Sequence, residues 1–500
     1  MRGKLLSLAV LSLACGADLP EGRFLCESAE NCPNNWVCID ARCYSSPFVP
    51  RRDASRTDAG IDAPEDVGVD VRRDAAFVPE NTVALCSDER DNDGDGRVDC
   101  ADDDCCRVRF EECDACRMRC PDFSAREEVV VTESRIAEDT TWDCFHDYVL
   151  DALVVVDEAT LTIEAGTRIR ARSFSGLIVT RGARLTAVGQ ATRPIVFTSA
   201  SEDPEPGDWF GVYLAGNAIT SRGPDQRPDG TGDEFLFGGG DDRHNCGRLS
   251  FVRVEFAGGD SGPDGLDLGA LMLMGCGDET SVDHVQVHRS KDDGLAIFGG
   301  TVNVREVLVT HAADDGLDWE RGWRGVGERI AIWQDPGGGN AAIEGSNNDP
   351  SGIRDAEPRS NPELWYVTTF GGRVSIRLAD GTFAALRNSV LHSGRERCVE
   401  LAAELEDSVM AGDIAVTNSI VHGCPEPYAP AGVAAAFSAP AAANESEDPG
   451  IDGIDDAESP RWLPDVSVTR SVPQAAAPTP QLSVGAFDED NWTAGWVAYP

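Results

Sequence analysis

Lysine is nearly missing from this chain, which has only Lys4 and Lys291; its other cationic side chains are arginine. That preference is read as coding bias of a GC-rich genome, with no functional weight. Cations of both kinds are few, 43 Lys and Arg against 87 Asp and Glu, for a formal net charge of −44. A field of that sign repels phosphate, which argues against nucleic acid and anionic membrane surfaces as partners. Divalent cations, neutral glycans and basic partners remain open. Long apolar runs are missing too. Leu5 to Ala14 is too short to span a bilayer, and no later run is long enough for a membrane helix. Amphipathic helical periodicity is also absent, which excludes the all-α classes.

What is present begins with export. Arg2 and Lys4 precede the apolar stretch, so residues 1–14 read as a secretion signal ending at Cys15. The stretch resembles a bacterial lipoprotein signal, which implies that Cys15 becomes the lipid-bearing first residue. Ala14 suits the position before the cut, whereas Ser12 and Leu13 depart from the usual order. Ordinary cleavage near Ala14 or Ala17 is the alternative. The lipidated reading places the protein in the outer membrane or on the surface of a Gram-negative cell, held by an N-terminal lipid.

The chain has 17 Cys, and setting Cys15 aside leaves 16, the even number that disulfide pairing needs. They fall into even groups: Cys26, Cys32, Cys38 and Cys43; eight from Cys86 to Cys144; and Cys246, Cys276, Cys398 and Cys424. Disulfides in an oxidising compartment are expected. Zinc ligation by "CDACRMRC" is set aside, because no His lies nearby.

Composition then divides the chain. Residues 15–43 form a Cys-rich module too small for a core of its own. Residues 44–80, rich in Asp, Ala, Arg and Pro, are expected to be a disordered stalk. Residues 81–127 hold "CSDERDNDGDGRVDCADDDCC", in which Asp91, Asp93, Asp95, Asp99 and Asp102 occupy loop positions 1, 3, 5, 9 and 12. Gly96 supplies the turn, and Arg97 would offer its carbonyl. This is the oxygen-rich spacing that wraps Ca²⁺, so a structural Ca²⁺ is expected here. A merely acidic disulfide knot is the plainer alternative.

From residue 128 to 500 the texture is all-β. "LTIEAGTRI" (161–169) is echoed by "LIVTRGARL" (177–185), with Leu161 aligned on Leu177 and Ile163 on Val179. Short strands continue at near-regular spacing, separated by Gly, Asp and Asn, which indicates a solenoid of parallel strands. "VDHVQVHRSKDDGLAIFGG" and "VNVREVLVTHAADDGLDWERG" align at an offset of 22, placing Val285 over Val307 and Asp293 over Asp315. One coil of about that length would stack Asp292–Asp293 and Asp314–Asp315 at about 4.8 Å. Ile343, Glu344 and Gly345 are expected to continue the column on the next coil.

Seven blocks in order carry a family resemblance: "LTIEAGTRI", "LIVTRGARLTAVGQATRPIVFTSA", "GDWFGVYLAGNA", "FGGGDDRHNCGRLSFVRVEFAG", "DDGLAIFGGTVNVREVLV", "DDGLDWERGWRG" and "VGAFDEDNWTAGWVAYP". Residues 140–500 resemble bacterial surface lipoproteins with a pectin-lyase-like, right-handed parallel β-helix. The resemblance implies architecture and a surface location, not a reaction. Such folds hold Ca²⁺ or hydrolytic aspartates on a face of stacked acids. The candidates here are Asp292, Asp293, Asp314, Asp315, Asp318 and Glu344, with Arg321, Arg324 and His311 as neighbouring cations or bases. Asn-Thr-Asp and Gly-His-Gly, motifs of such hydrolases, do not occur.

The plainer reading is turn chemistry, in which Asp caps backbone amides and Gly takes positive φ. Trp319, Trp323, Trp333 and Trp365 crowd the same region and would stack on sugar rings if exposed, or seal the core if not. Trp492 and Trp496 are expected to cap the open end of the solenoid. The function expected is therefore a non-catalytic surface module that binds glycans or a protein. A polysaccharide lyase or glycoside hydrolase is the alternative.

Overall fold

The computed structural model describes residues 36–39, 42–45, 120–121 and 123–498, apart from 229, 261–266, 336–337, 349–352, 393, 452–465 and 489–490. It comprises two units, residues 1–77 and 78–500. The signal, Cys15, the stalk and the loop from Asp91 to Asp102 lie outside the described residues. In the first unit, Trp36–Ile39 and Arg42–Ser45 pair antiparallel with Cys38 opposite Cys43.

The second unit is built from parallel strands that return to the same place once per coil. One face contributes a single strand per coil to an 11-stranded sheet, running from Arg135–Ile136 to Glu426–Ala429. The rest of each coil feeds a 16-stranded sheet. Early coils use two separate strands there, such as Thr160–Ile163 and Arg168–Ala171. Middle coils use one long strand, such as Ser281–His288 or Asn303–Thr310. The 22-residue offset is the observed register, with Val285 beside Val307 and Leu295 beside Leu317.

Each long strand is bent by one residue in the left-handed region: Phe251, His284, Glu306, Arg329 and Tyr366, continued by Asn388 and Asn418 between shorter strands. The ladder skips these residues, for example between Asp283 and Val285. None is β-branched, as the crowding of a left-handed residue requires. The bend makes two inward positions three residues apart, so Val282 and Val285 both face the core, as do Val304 and Val307. The echo between 161–169 and 177–185 is not a stacking relation. Leu161 stacks on Leu185, and Leu177 on Val154, because every face repeats the same alternation.

Among the described residues, three disulfides join residues of the expected groups, Cys120–Cys144, Cys246–Cys276 and Cys398–Cys424. The C-terminal end is closed by short helices Glu406–Ala411 and Ala431–Phe437, whose Val409, Val433 and Phe437 join the main core. Trp492 and Trp496 therefore do not cap that end. The C-terminal segment instead runs back along the flank of the large sheet. Gly485 donates its N–H to Asn388, and Ala498 donates its N–H to Gln286. An outward apolar stripe, including Leu308, Ala331, Val390 and Ile420, is covered by Val484, Phe487, Trp492 and Trp496. Burial of that stripe is what draws the tail sideways.

Candidate functional site

The Asp-Asp-Gly turns lie where each long strand hands over to the single-strand face. Asp293 Oδ1 accepts the backbone N–H of Asp315 at 3.1 Å, and Asp315 Oδ1 accepts that of Ala341 at 2.5 Å. Each carboxylate thus caps an amide of the following coil. The glycines are required by close approach and not by positive φ, since a Cβ on Gly294 would stand 2.7 Å from the carbonyl oxygen of Gly316. Carboxylate oxygens of Asp292, Asp293 and Asp314 lie within 4.8 Å of one another, a set able to share a divalent cation.

Glu344 does not extend this column. It pairs with Asp318, and Ala341 takes the place that follows Asp315. The outward line on the single-strand face runs Tyr213, Met272, Ala296, Asp318, Glu344, Arg377 and Glu400. Its apolar half packs against Phe235, Phe237 and Leu268, and it becomes polar at Asp318. Glu344 accepts from Asn340 Nδ2 at 3.2 Å and from Arg377 Nη1 at 3.4 Å. Arg373 bridges Asn340 to Glu396, and Arg397 pairs with Glu400.

Burial pushes the Asp315 carboxyl well above the usual carboxylate range, and the charges of Asp293 and Glu344 push it further. Asp318 is raised likewise, first by burial and then by Asp293 and Glu320. The two residues are 4% and 8% exposed. Their environment favours the protonated form, so the pair can donate hydrogen bonds or a proton. Asp318 and Glu344 stand on adjacent strands about 4.8 Å apart.

The expected cations are placed elsewhere. Arg321 is buried at the far end of Leu317–Glu320, lies over Phe298 at 4.8 Å and donates to the carbonyl of Arg227. Arg324 pairs with Asp242 at 3.0 Å. His311 Nδ1 lies 2.6 Å from Asp335. Arg289-Ser290-Lys291, an Arg-x-Lys step, precedes Asp292; Arg289 there occupies a left-handed turn. The cations nearest the acid pair, Arg377 and Arg373, were missed. Only register reveals them, because Arg377 follows Glu344 by 33 residues and Glu400 follows Arg377 by 23.

The tryptophans do not form an exposed stacking platform. Trp319 and Trp323 are buried inside the coils, 5.8 Å apart, and donate to Thr382 Oγ1 and to the carbonyl of Val302. Trp333 stacks on Phe370 at 4.0 Å within the cluster covered by the tail. Trp365 is covered by Arg387, 5.0 Å above its ring. Their large apolar area is spent on packing.

Comparison with curated proteins and with solved structures gives no match. A family model described as a pectate-lyase-like β-helix domain matches residues 134–465, more than half of the chain. That description fits a carbohydrate-related role and leaves binding and catalysis equally open. With its parallel coils, stacked turns and matched length, the chain belongs to the family of pectate-lyase-like β-helix domains.

Proposed function

We propose that this is an exported, lipid-anchored surface protein whose right-handed β-helix is a non-catalytic module for binding glycans or a protein partner. The observation that carries this reading is the use of Asp293 and Asp315 as acceptors for backbone amides of successive coils. The engagement of Arg321 and His311 elsewhere supports the non-catalytic part of it. In this reading Cys15 carries the lipid, and Asp91, Asp93, Asp95, Arg97, Asp99 and Asp102 hold a structural Ca²⁺. Labelling with a fatty-acid analogue should tag the wild type and not Cys15→Ser. Calcium should raise the melting temperature, and Asp93→Ala should remove that gain.

A second reading is favoured by one feature, the buried Asp318 beside Glu344 and Arg377. A protonated Asp318 would serve as general acid toward a glycosidic oxygen, with Glu344 as the second carboxylate. The deciding experiment is a glycan array followed by product analysis on every hit. Binding retained in Asp318→Asn and Glu344→Gln, without release of reducing or unsaturated ends, supports the binding module. Product release by the wild type that is lost in either variant overturns it in favour of the hydrolase or lyase.

A further inference from the structure

Beyond the acid column, three nitrogen and oxygen donors converge at the last coil. His392 ends Val390–His392, His422 ends Ile420–His422, and the two are paired in register. Glu445 bridges in parallel to Ile420, so the segment leading to Asp448 lies along the next rung. Donor atoms of His392, His422 and Asp448 all lie within 4.8 Å of one another.

His422 and Asp448 are each held by an outer hydrogen bond. His422 Nδ1 donates to the carbonyl of Ser446 at 2.9 Å, which leaves Nε2 as the ring's lone-pair nitrogen. That Nε2 faces Asp448 Oδ2 at 3.9 Å. Asp448 Oδ1 accepts the N–H of Gly450 at 2.8 Å, which turns Oδ2 toward the histidine. Outer hydrogen bonds of this kind orient and tune metal ligands. Phe370 stacks on His392 at 5.2 Å and walls one side. The Cys398–Cys424 disulfide braces the chain two residues beyond His422.

We propose that His392, His422 and Asp448 bind a divalent transition ion of the Zn²⁺ class, with the fourth position open to solvent. Two imidazoles and one carboxylate select such an ion over Ca²⁺ or Mg²⁺, which take oxygen donors. Tetrahedral coordination needs donors about 3.3 Å apart and the ion near both ring planes. His392 and His422 stack at 5.4 Å with their planes 25° apart, so the His422 ring must tilt out of the stack as the set closes on the ion. Exposed Asp448 and half-buried His422 are the parts able to move. The ion pins the last coil to the segment that follows it.

The test uses the full chain with its disulfides intact, stripped with a chelator and titrated with Co²⁺ and then Zn²⁺. The wild type should develop the intense visible bands of four-coordinate Co²⁺. Zn²⁺ should displace them and raise the melting temperature. Affinity should fall at least about tenfold in Asp448→Asn and about 100-fold in His422→Ala. Asp448 is exposed, so the first variant leaves the core intact and keeps the test valid if His422→Ala folds poorly. No saturable Co²⁺ spectrum in the wild type, or equal affinity in the wild type and Asp448→Asn, would overturn the proposal.

Discussion

Replacing Asp315 in two ways separates its hydrogen bond from its charge. Ala341 is fully buried, and its N–H donates to Asp315 Oδ1 at 2.5 Å. Asp315→Ala removes the acceptor and strands that amide, at a cost of about 1–3 kcal/mol. Asp315→Asn keeps an oxygen in place and removes a carboxyl whose ionised form is disfavoured by burial and by Asp293. It should be neutral or stabilising, most clearly once the pH has risen above the raised folded-state pKa of the carboxyl. The sign follows from linkage: a carboxyl raised in the folded state contributes stability below its unfolded pKa, and that contribution is lost as pH rises through the folded value. The assay is urea unfolding together with hydrogen exchange at the Ala341 amide. Asp315→Ala should lower the exchange protection there by a factor of about 5–150, the same energy expressed as an equilibrium constant. Equal loss in Asp315→Asn and Asp315→Ala would refute the capping argument, because charge and not the acceptor would then be holding the coil.

Three further outcomes are expected. His288 is buried against Thr310, and burial, then His311, lowers its pKa to about 3. It contributes stability above its unfolded value near 6.5 that is lost as pH falls toward 3, up to about 4–5 kcal/mol; His288→Gln should flatten that acid limb in thermal melts, and an unchanged limb would exclude His288 as its source. Trp319→Ala should cost about 3–5 kcal/mol by opening a cavity inside the coils; a small loss together with weakened glycan binding would restore Trp319 as a contact residue. Truncation before residue 466 should uncover Leu308, Trp333 and Ile420. Loss of Val484, Phe487, Trp492 and Trp496 from that stripe, at roughly 2 kcal/mol each, should lower the melting temperature and raise apolar-dye binding; unchanged dye binding would show that the tail does not seal the flank.

The repeat was legible because parallel coils demand the same residue type at the same place. Val285 over Val307 and Asp293 over Asp315 are stacking relations that a 22-residue offset exposes directly. The bends were legible too and went unread: "VDHV" and "VREV" place apolar residues three apart where strict alternation would place them two apart. The stacking of Leu161 on Leu185 was not legible, because the faces of a coil share one alternating pattern and a 16-residue echo looks as good as the true register.

Charge, missing lysine, even cysteine groups and strand periodicity were properties of the sequence by itself, since each depends on composition or on short-range spacing. The partners of Asp318 and the cover over the outward apolar stripe were decided only by the tertiary structure. Coils of unequal length set Glu344 beside Asp318 and Arg377 beside Glu344, so no constant offset encodes them. The tail was placed sideways by an apolar surface assembled from many coils, one residue at a time, and such a surface exists only once the coils have stacked.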